Sequence, residues 1–159
     1  MKAICPYCEK PANLKMVKSR EEYEIKGMKV TVNVEKFVCM ACKRDFATKE
    51  QMEKATIAGY AAYRKKVDII SPKEIIHIRE KYGTSQKVMA KILDLGELTI
   101  NSYEQGALVS KSISNLIRLM ENPHNFIILF NKKRHELSHT QIRRIESALR
   151  DQKVTVVEV

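Results

Sequence analysis

The sequence lacks the features that would place a protein in a membrane or export it. In a chain of 159 residues, no apolar run approaches the roughly 20 residues that a membrane helix needs. The first residues, 1–5, do not form the apolar core of a signal peptide. We therefore expect a cytoplasmic protein with no membrane partner.

Clustered histidines and concentrated positive charge are lacking as well. His135 and His139 lie on either side of Ser138, a candidate helix cap, so we expect no histidine metal site. The formal net charge of +10 favours an anionic partner. It is spread out, because residues 1–70 carry 15 Lys+Arg and 9 Asp+Glu, or +6, and residues 71–159 carry 14 and 10, or +4.

The four cysteines form two Cys-x-x-Cys pairs with 30 residues between them, and they are Cys5, Cys8, Cys39 and Cys42. Each pair can place two thiolates at about 2.3 Å from one ion, and two pairs complete a tetrahedron. In a reducing compartment such pairs are metal ligands more often than disulfides. The spacing predicts one structural zinc ion (Zn2+) with no open coordination position and hence no catalysis. Rubredoxin-like iron and thioredoxin-like redox chemistry are the alternatives, although no βαβ pattern surrounds either pair.

Residues 1–66 are predicted to form a small β-rich zinc-binding domain with one helix. Alternating apolar residues and a turn at Gly27 indicate three strands, at 13–18, 23–25 and 30–38. Thr48 followed by Gln51 is a capping box that begins a helix running to about Lys66, with Met52 on its apolar stripe. A domain of this size buries little apolar surface, so metal binding is expected to stabilise it.

This first domain also offers a surface for a partner protein. Tyr60 and Tyr63 on the helix, together with the strand surface at 23–38, are the candidate contacts, because tyrosines bind at low entropy cost and edge strands accept main-chain pairing. The alternative is that both tyrosines only pack on the sheet. The basic connector at 64–70 either follows phosphates or is a solvated linker.

The segment 84–106 predicts a helix-turn-helix unit. Ser85 is a helix cap, small Ala90 allows two helices to approach closely, and Gly106 suits a left-handed helix stop. A break at 94–96 separates the two helices, and Ile100 and Tyr103 point inward from the second. Such a second helix is presented to the major groove of DNA, whereas an ordinary helical hairpin is the alternative.

Candidate DNA contacts follow from this geometry. Gln86 is expected to hold a phosphate at the start of the first helix, while Thr99 and Asn101 are expected to read bases from the exposed side of the second. The lysines expected to supply phosphate charge are Lys87, Lys91 and Lys111. Glu97 and Ser102 complete the set of candidate DNA-binding residues. Glu97 and Glu104 are expected to flank that surface and to offset the lysines.

The remaining elements are predicted to be helical. Ser71, Pro72 and Glu74 begin a helix, and apolar residues at helical spacing predict another at 111–122. The apolar run 126–130 either closes the core of the monomer or forms a twofold dimer contact. Ser138 caps a last helix that runs to about Asp151, and 154–159 is a β-prone tail. The predicted domains are therefore 1–66, a helix-turn-helix domain at 67–137, and a C-terminal helix and tail at 138–159, in an α+β protein.

Two motifs carry a resemblance to a known family. The pattern Ser85-Gln86-x-x-Met89-Ala90-x-x-Leu93 with Ile100-x-x-Tyr103-Glu104-x-Gly106 resembles the repressor-type helix-turn-helix of the Xre class. With the Cys-x2-Cys-x30-Cys-x2-Cys framework before it, residues 1–122 resemble the YgiT/MqsA-type zinc-finger antitoxins of bacterial type II toxin–antitoxin modules. The later motifs Leu95-Gly96-Glu97-x-Thr99-Ile100 and Asn122-Pro123-x-Asn125-Phe126 are similar to the branch of antitoxins that carry a further SocA-like (Panacea) domain.

The resemblance implies a function. In that family the zinc domain binds a toxin, often an mRNA-cleaving ribonuclease, and the helix-turn-helix domain dimerises and represses its own operon. The zinc ligands carry over to the four cysteines. Leu98 and Ser102 stand where the best-known member has an Asn and an Arg on its recognition helix, so the operator sequence does not carry over. We expect an antitoxin and not an enzyme; a zinc-containing DNA-binding regulator without a toxin and a dithiol redox enzyme are the alternatives.

Overall fold

The structure is a computed structural model that describes residues 1–152, and the predicted β-prone tail at 154–159 lies outside the described residues. By their contacts the residues divide into two units, 1–67 and 68 onward. The first unit is β-rich with one helix and the second is helical, which confirms the predicted α+β class. No helix within residues 1–152 is both long enough and apolar enough to cross a membrane.

An antiparallel sheet with strands in chain order forms the first unit, together with one helix. The strands are β1 (Lys2–Ile4), β2 (Pro11–Ile25), β3 (Met28–Cys39) and β4 (Asp45–Phe46), and the helix is α1 (Lys49–Val67). Strands β2 and β3 make a long hairpin in which Leu14 pairs with Cys39 and Ile25 with Met28. Lys26 and Gly27 form its two-residue turn with φ of 48° and 76°, the left-handed pair that matches the twist of a hairpin.

Strand β2 is continuous where two separate strands were predicted. The interruption was expected at the polar residues 19–22, of which Ser19 and Glu21 in fact lie on the half-buried face of the strand. There Glu21 accepts hydrogen bonds from Ser19 Oγ at 3.0 Å and Tyr23 Oη at 3.1 Å, and it pairs with Lys36 of β3 at 2.6 Å. Because these partners satisfy the carboxylate, a polar stretch can remain in the strand. Strands β1 and β4 were not predicted.

Helix α1 covers one face of the hairpin. The predicted capping box is confirmed, since the Gln51 amide nitrogen donates to Thr48 Oγ1 at 3.3 Å and the Thr48 amide donates to Gln51 Oε1 at 2.9 Å. Gly59 allows close approach, because a Cβ there would lie 3.1 Å from Ile25 Cδ1. Met52 was predicted on the buried stripe, but its side chain is 55% exposed. The stripe therefore begins one turn later than predicted.

Six helices and one short 3-10 turn make up the described part of the second unit. They are α2 (Pro72–Lys81), α3 (Gln86–Ile92), α4 (Thr99–Glu104), α5 (Lys111–Leu119), α6 (Pro123–Lys133), the turn Arg134–Glu136 and α7 (His139–Asp151). The predicted caps at Ser71, Ser85 and Ser138 each accept a hydrogen bond from a backbone amide of the helix that follows. Local sequence therefore sets where these helices begin.

The core of the second unit is built around stacked aromatic rings. Tyr82 and Phe126 are fully buried and stack with ring centroids 3.7 Å apart, and Phe130 lies 6.2 Å beyond Phe126. The Tyr82 hydroxyl donates to the carbonyl oxygen of Met120 at 2.5 Å. Most of the apolar run 126–130 therefore closes the monomer core, whereas Ile128 is 55% exposed.

Helix α7 packs on this same unit. Its residues Ile145 and Leu149 are buried, and Gln152 Nε2 donates to the carbonyl oxygen of Lys81 at 2.8 Å. Arg134 and Glu146 form an ion pair at 2.5 Å that joins the 3-10 turn to α7. Helix α7 is thus a component of the core of the second unit.

Candidate metal centre and nucleic-acid interface

The two Cys-x-x-Cys segments fold into equivalent turns. In each turn the amide of the first cysteine donates to the carbonyl oxygen five residues later, from Cys5 to Lys10 at 3.2 Å and from Cys39 to Arg44 at 2.9 Å. The carbonyl oxygen of that first cysteine accepts from the amide four residues later, at 2.9 Å and 2.8 Å respectively. Both turns therefore present their sulfur atoms in the same way.

A left-handed residue closes each turn. This residue is the fourth after the first cysteine, with φ of 56° at Glu9 and 63° at Lys43. Residues with a Cβ reach this region at a cost of about 1–2 kcal/mol. The hydrogen bonds of each turn keep Glu9 and Lys43 in this left-handed conformation. The backbone of both turns is therefore arranged so that the cysteine sulfur atoms converge.

The four cysteine sulfur atoms meet as the spacing predicts. All four lie within 4.8 Å of one another, with Cys5 Sγ 3.7 Å from Cys42 Sγ and Cys8 Sγ 4.0 Å from Cys39 Sγ. These distances are far longer than the ~2.05 Å of a disulfide, and the thiols are free. A tetrahedral ion with bonds of about 2.3 Å would hold its sulfur ligands about 3.8 Å apart. The cluster therefore fits a four-coordinate metal ion.

Packing and hydrogen bonds set the burial and the pKa values of these thiols. Ala12 and Leu14 pack against Cys5 and Cys39, which are fully buried. A hydrogen bond from the backbone of Cys42 lowers the pKa of the Cys39 thiol to about 7. Such a site binds metal with release of protons from its remaining thiols.

Cys8 behaves in the opposite way. The backbone of Lys10 lowers its pKa, but burial and the three neighbouring thiols raise it more, to about 11. Because the four thiols are close together, deprotonation of more than one of them is unfavourable. A bound cation would offset this repulsion between thiolates. The donor set is four sulfur atoms, which suits zinc or iron.

Helices α3 and α4 form the predicted pair around a tight turn. Ala90 and Ile100 are fully buried where the two helices pack together. Gly106 ends α4 with φ of 105°, and the amide of Ala107 donates to the carbonyl oxygen of Ser102 at 2.9 Å. This is the left-handed helix stop that the sequence indicates.

A buried polar network fixes these helices to α2. Glu104 accepts from Arg79 Nε at 2.5 Å and from Gln86 Nε2 at 2.6 Å, and Arg79 Nη1 also donates to the carbonyl oxygen of Thr84 at 2.9 Å. The Glu104 side chain is only 5% exposed. The prediction that Glu104 flanks the DNA surface is therefore wrong. The side-chain amide of Gln86 was expected to hold a phosphate, but its nitrogen donates to Glu104 within the second unit.

The candidate lysines are held by neighbouring groups. Lys87 pairs with Glu97 at 2.5 Å, and both side chains are more than half exposed. Lys91 Nζ donates to the carbonyl oxygen of Glu136 at 3.1 Å. Lys111 Nζ contacts Asp68 through its carbonyl oxygen at 2.5 Å and its carboxylate at 3.1 Å. Phosphate contacts by these lysines would have to compete with the partners they already have.

The outward side of α4 differs in part from the predicted one, because of the candidate contacts on this helix only Ser102 is exposed. Thr99 and Asn101, expected to be exposed, are half-buried. Leu98 is 69% exposed and Ser102 is exposed, and the amide of Ser102 donates to the carbonyl oxygen of Leu98 at 2.9 Å. These two residues lie one turn apart on the same side of the helix. Their four-residue spacing in the sequence is compatible with one exposed side of a helix. A helix of six residues is too short, however, for its apolar pattern to show which side faces solvent.

The tyrosines proposed as partner contacts are half-buried on α1. Tyr60 lines a cavity of about 540 Å³ between α1 and the sheet, together with Tyr7, Tyr23 and Phe46. Tyr7 is half exposed at 50%. The first unit therefore has an aromatic recess open to solvent beside the proposed contact surface.

A four-cysteine cluster that could hold a metal ion, followed by a helix-turn-helix unit, defines a class of small two-unit proteins. Residues 1–128 match the family described as the antitoxin component of bacterial toxin-antitoxin system, MqsA. The chain belongs to this family and has an antitoxin role in a toxin–antitoxin system. The match includes the cysteine cluster, the helices through α5 and the first half of α6. No curated protein matches the chain.

Proposed function

We propose that this antitoxin holds one structural zinc ion, neutralises its toxin through the first unit, and represses its own operon by binding DNA as a homodimer. The family match across residues 1–128 carries the proposal, because it spans both the cysteine cluster and the helix-turn-helix. Since repression acts on the operon itself, the protein is proposed to work in the cytoplasm.

Zinc is the proposed metal because four thiolates in a closed tetrahedron suit it and leave no position for substrate. The cluster is built from two equivalent turns rather than from a single pair at the end of a helix. This arrangement favours a structural role over dithiol redox chemistry. Elemental analysis of the purified chain separates zinc from iron and from a metal-free dithiol.

The toxin is proposed to bind the edge of the hairpin. β1 pairs with β2 only at Pro11–Asn13, and β4 pairs with β3 only at Phe37–Val38. Among residues 1–152, no strand pairs with the outer edge of β2 at 15–25. An unpaired edge accepts a strand from a partner, and the neighbouring Tyr60 and Tyr63 would add anchoring contacts. By the family resemblance, the partner is proposed to be an mRNA-cleaving ribonuclease.

The dimer is proposed to form through α5 and α6. Leu119 and Ile128 are 57% and 55% exposed. Asn125 Nδ2 donates to the carbonyl oxygen of Leu119 at 2.9 Å, which joins the end of α5 to α6. An apolar contact of this kind between two copies would place two α4 helices for two half-sites of an operator.

Expression of the neighbouring gene with and without this chain tests the proposal. The neighbour should arrest growth alone and should be rescued by co-expression. Cys39→Ser should abolish rescue, whereas Leu119→Ala should keep rescue and weaken repression of a reporter driven by the operon's promoter. If no neighbour is toxic while the reporter is still repressed, the protein is instead a zinc-containing regulator without a toxin.

A further inference from the structure

The outward surface of α4 carries an unusual set of side chains for a DNA-reading helix. Leu98, Ser102 and Gln105 are exposed there, and within the described residues neither the Ser102 hydroxyl nor the side-chain amide group of Gln105 has a hydrogen-bond partner. The surface therefore offers one apolar group, one hydroxyl and one amide.

Helix α4 itself contributes no positive side chain to this set. The sequence of α4, Thr-Ile-Asn-Ser-Tyr-Glu, contains neither Arg nor Lys, and the nearby Lys87 is paired with Glu97 at 2.5 Å. Specific contact with guanine is usually made by Arg or Lys to its O6 and N7 atoms. The α4 surface lacks the groups that would favour G·C pairs.

The groups that are present match A·T pairs. A glutamine amide pairs with the N6 and N7 atoms of adenine, and an apolar side chain contacts the 5-methyl group of thymine. Leu98 and Gln105 are seven residues apart, which corresponds to about 10 Å along a helix, or about three base-pair steps of DNA at 34 Å per ten base pairs. Leu98 and Gln105 are therefore spaced to reach different pairs within one short half-site.

We propose that α4 reads A·T base pairs, and that Leu98 does so by packing on the 5-methyl group of a thymine in the major groove. The inference rests on the DNA-binding part of the proposed function and specifies the chemistry of that site. Thr99 also carries a methyl group, but Thr99 and Asn101 are half-buried. Leu98 is therefore the exposed apolar side chain on this surface that can contact a thymine methyl group.

Deoxyuridine provides the test, because it differs from thymidine only by the methyl group. Duplexes are first selected from a random pool by the full chain at low salt, and each thymine of the selected half-site is then replaced by deoxyuridine. At one thymine per half-site the affinity should fall about fourfold, the change expected for loss of one buried methyl of about 0.8 kcal/mol. Leu98→Ala should bind the two duplexes equally.

Ile57→Ala is the matched control, since Ile57 is also 69% exposed but lies on α1; it should keep the fourfold ratio. Leu98→Met, which conserves volume and apolar character, should keep most of the fourfold difference in affinity between the thymidine and deoxyuridine duplexes. Specific binding without any deoxyuridine-sensitive thymine, or a full ratio retained by Leu98→Ala, would overturn the inference while leaving DNA binding intact. Selection of no specific duplex would overturn both the inference and the DNA-binding part of the proposed function.

Discussion

Replacing Glu104 by Gln should loosen the unit that presents α4. The Glu104 carboxylate is 5% exposed and joins Arg79 of α2 to Gln86 of α3. Gln has nearly the same shape as Glu, so the substitution removes a charge without creating a cavity. The Gln side chain has one acceptor oxygen in place of two, so its NH2 group would face the donors Arg79 or Gln86. The Arg79 side chain, 14% exposed, would then be a buried cation without a counter-charge, although it keeps the Thr84 carbonyl oxygen.

Removing one member of a buried ion pair costs about 3–5 kcal/mol, because the other charge stays desolvated. Arg79 keeps the Thr84 contact and a 3.4 Å contact to exposed Glu80, so the lower end, about 3 kcal/mol, is expected. For a unit of this size that loss lowers the melting temperature by roughly 15 °C. Glu97→Gln makes the same charge change in the exposed pair with Lys87 and should change the stability little, because solvent screens an exposed ion pair.

Hydrogen exchange of the full chain, resolved by peptide, measures the loss of stability separately for the two units. Amides of α2, α3 and α4 should lose protection in Glu104→Gln, while amides of the hairpin should not change. The double variant Arg79→Met with Glu104→Leu should recover most of the lost stability, because it leaves no unpaired charge. The reasoning is refuted if Glu104→Gln and Glu97→Gln destabilise the second unit equally.

Three further predictions concern both units. Cys39→Ser should release the metal ion and unfold the first unit while the second stays protected, as read by elemental analysis and hydrogen exchange; unchanged protection in metal-free protein would contradict a structural ion. The hydrogen bond from Lys36 holds the pKa of Glu21 below its ordinary 4.5. Its contribution to stability is therefore complete above pH 4.5 and is lost as the pH falls through the lowered value, so Glu21→Gln should flatten the acid side of the stability profile. Gly106→Ala should destabilise the second unit by about 1–2 kcal/mol in thermal unfolding, because the φ of 105° strains any residue with a Cβ.

The metal site could be predicted from sequence because its determinants are local. Two cysteines separated by two residues reach one ion through a single turn, whatever the rest of the chain does. The caps at Ser71, Ser85 and Ser138 are equally local, since each side chain bonds an amide three residues away. These features needed no knowledge of distant contacts.

The DNA-facing residues could not be predicted in the same way. Glu104 follows inward Tyr103 on a short helix, and its burial depends on Arg79, 25 residues earlier in the chain. Without that partner a glutamate is expected at the surface. The same holds for Glu21, whose cross-strand contact with Lys36 lets β2 continue through a polar stretch.

The sequence by itself determined the two Cys-x-x-Cys turns, the starts of the helices and the stop at Gly106, because hydrogen bonds and ligand reach over a few residues decide them. Only the tertiary structure decided which side of α4 faces outward, which lysines are already paired, and that the run 126–130 mainly closes the core. Those outcomes depend on which distant surfaces pack together, and a buried charge or ring becomes stable only when its partner arrives from elsewhere in the chain.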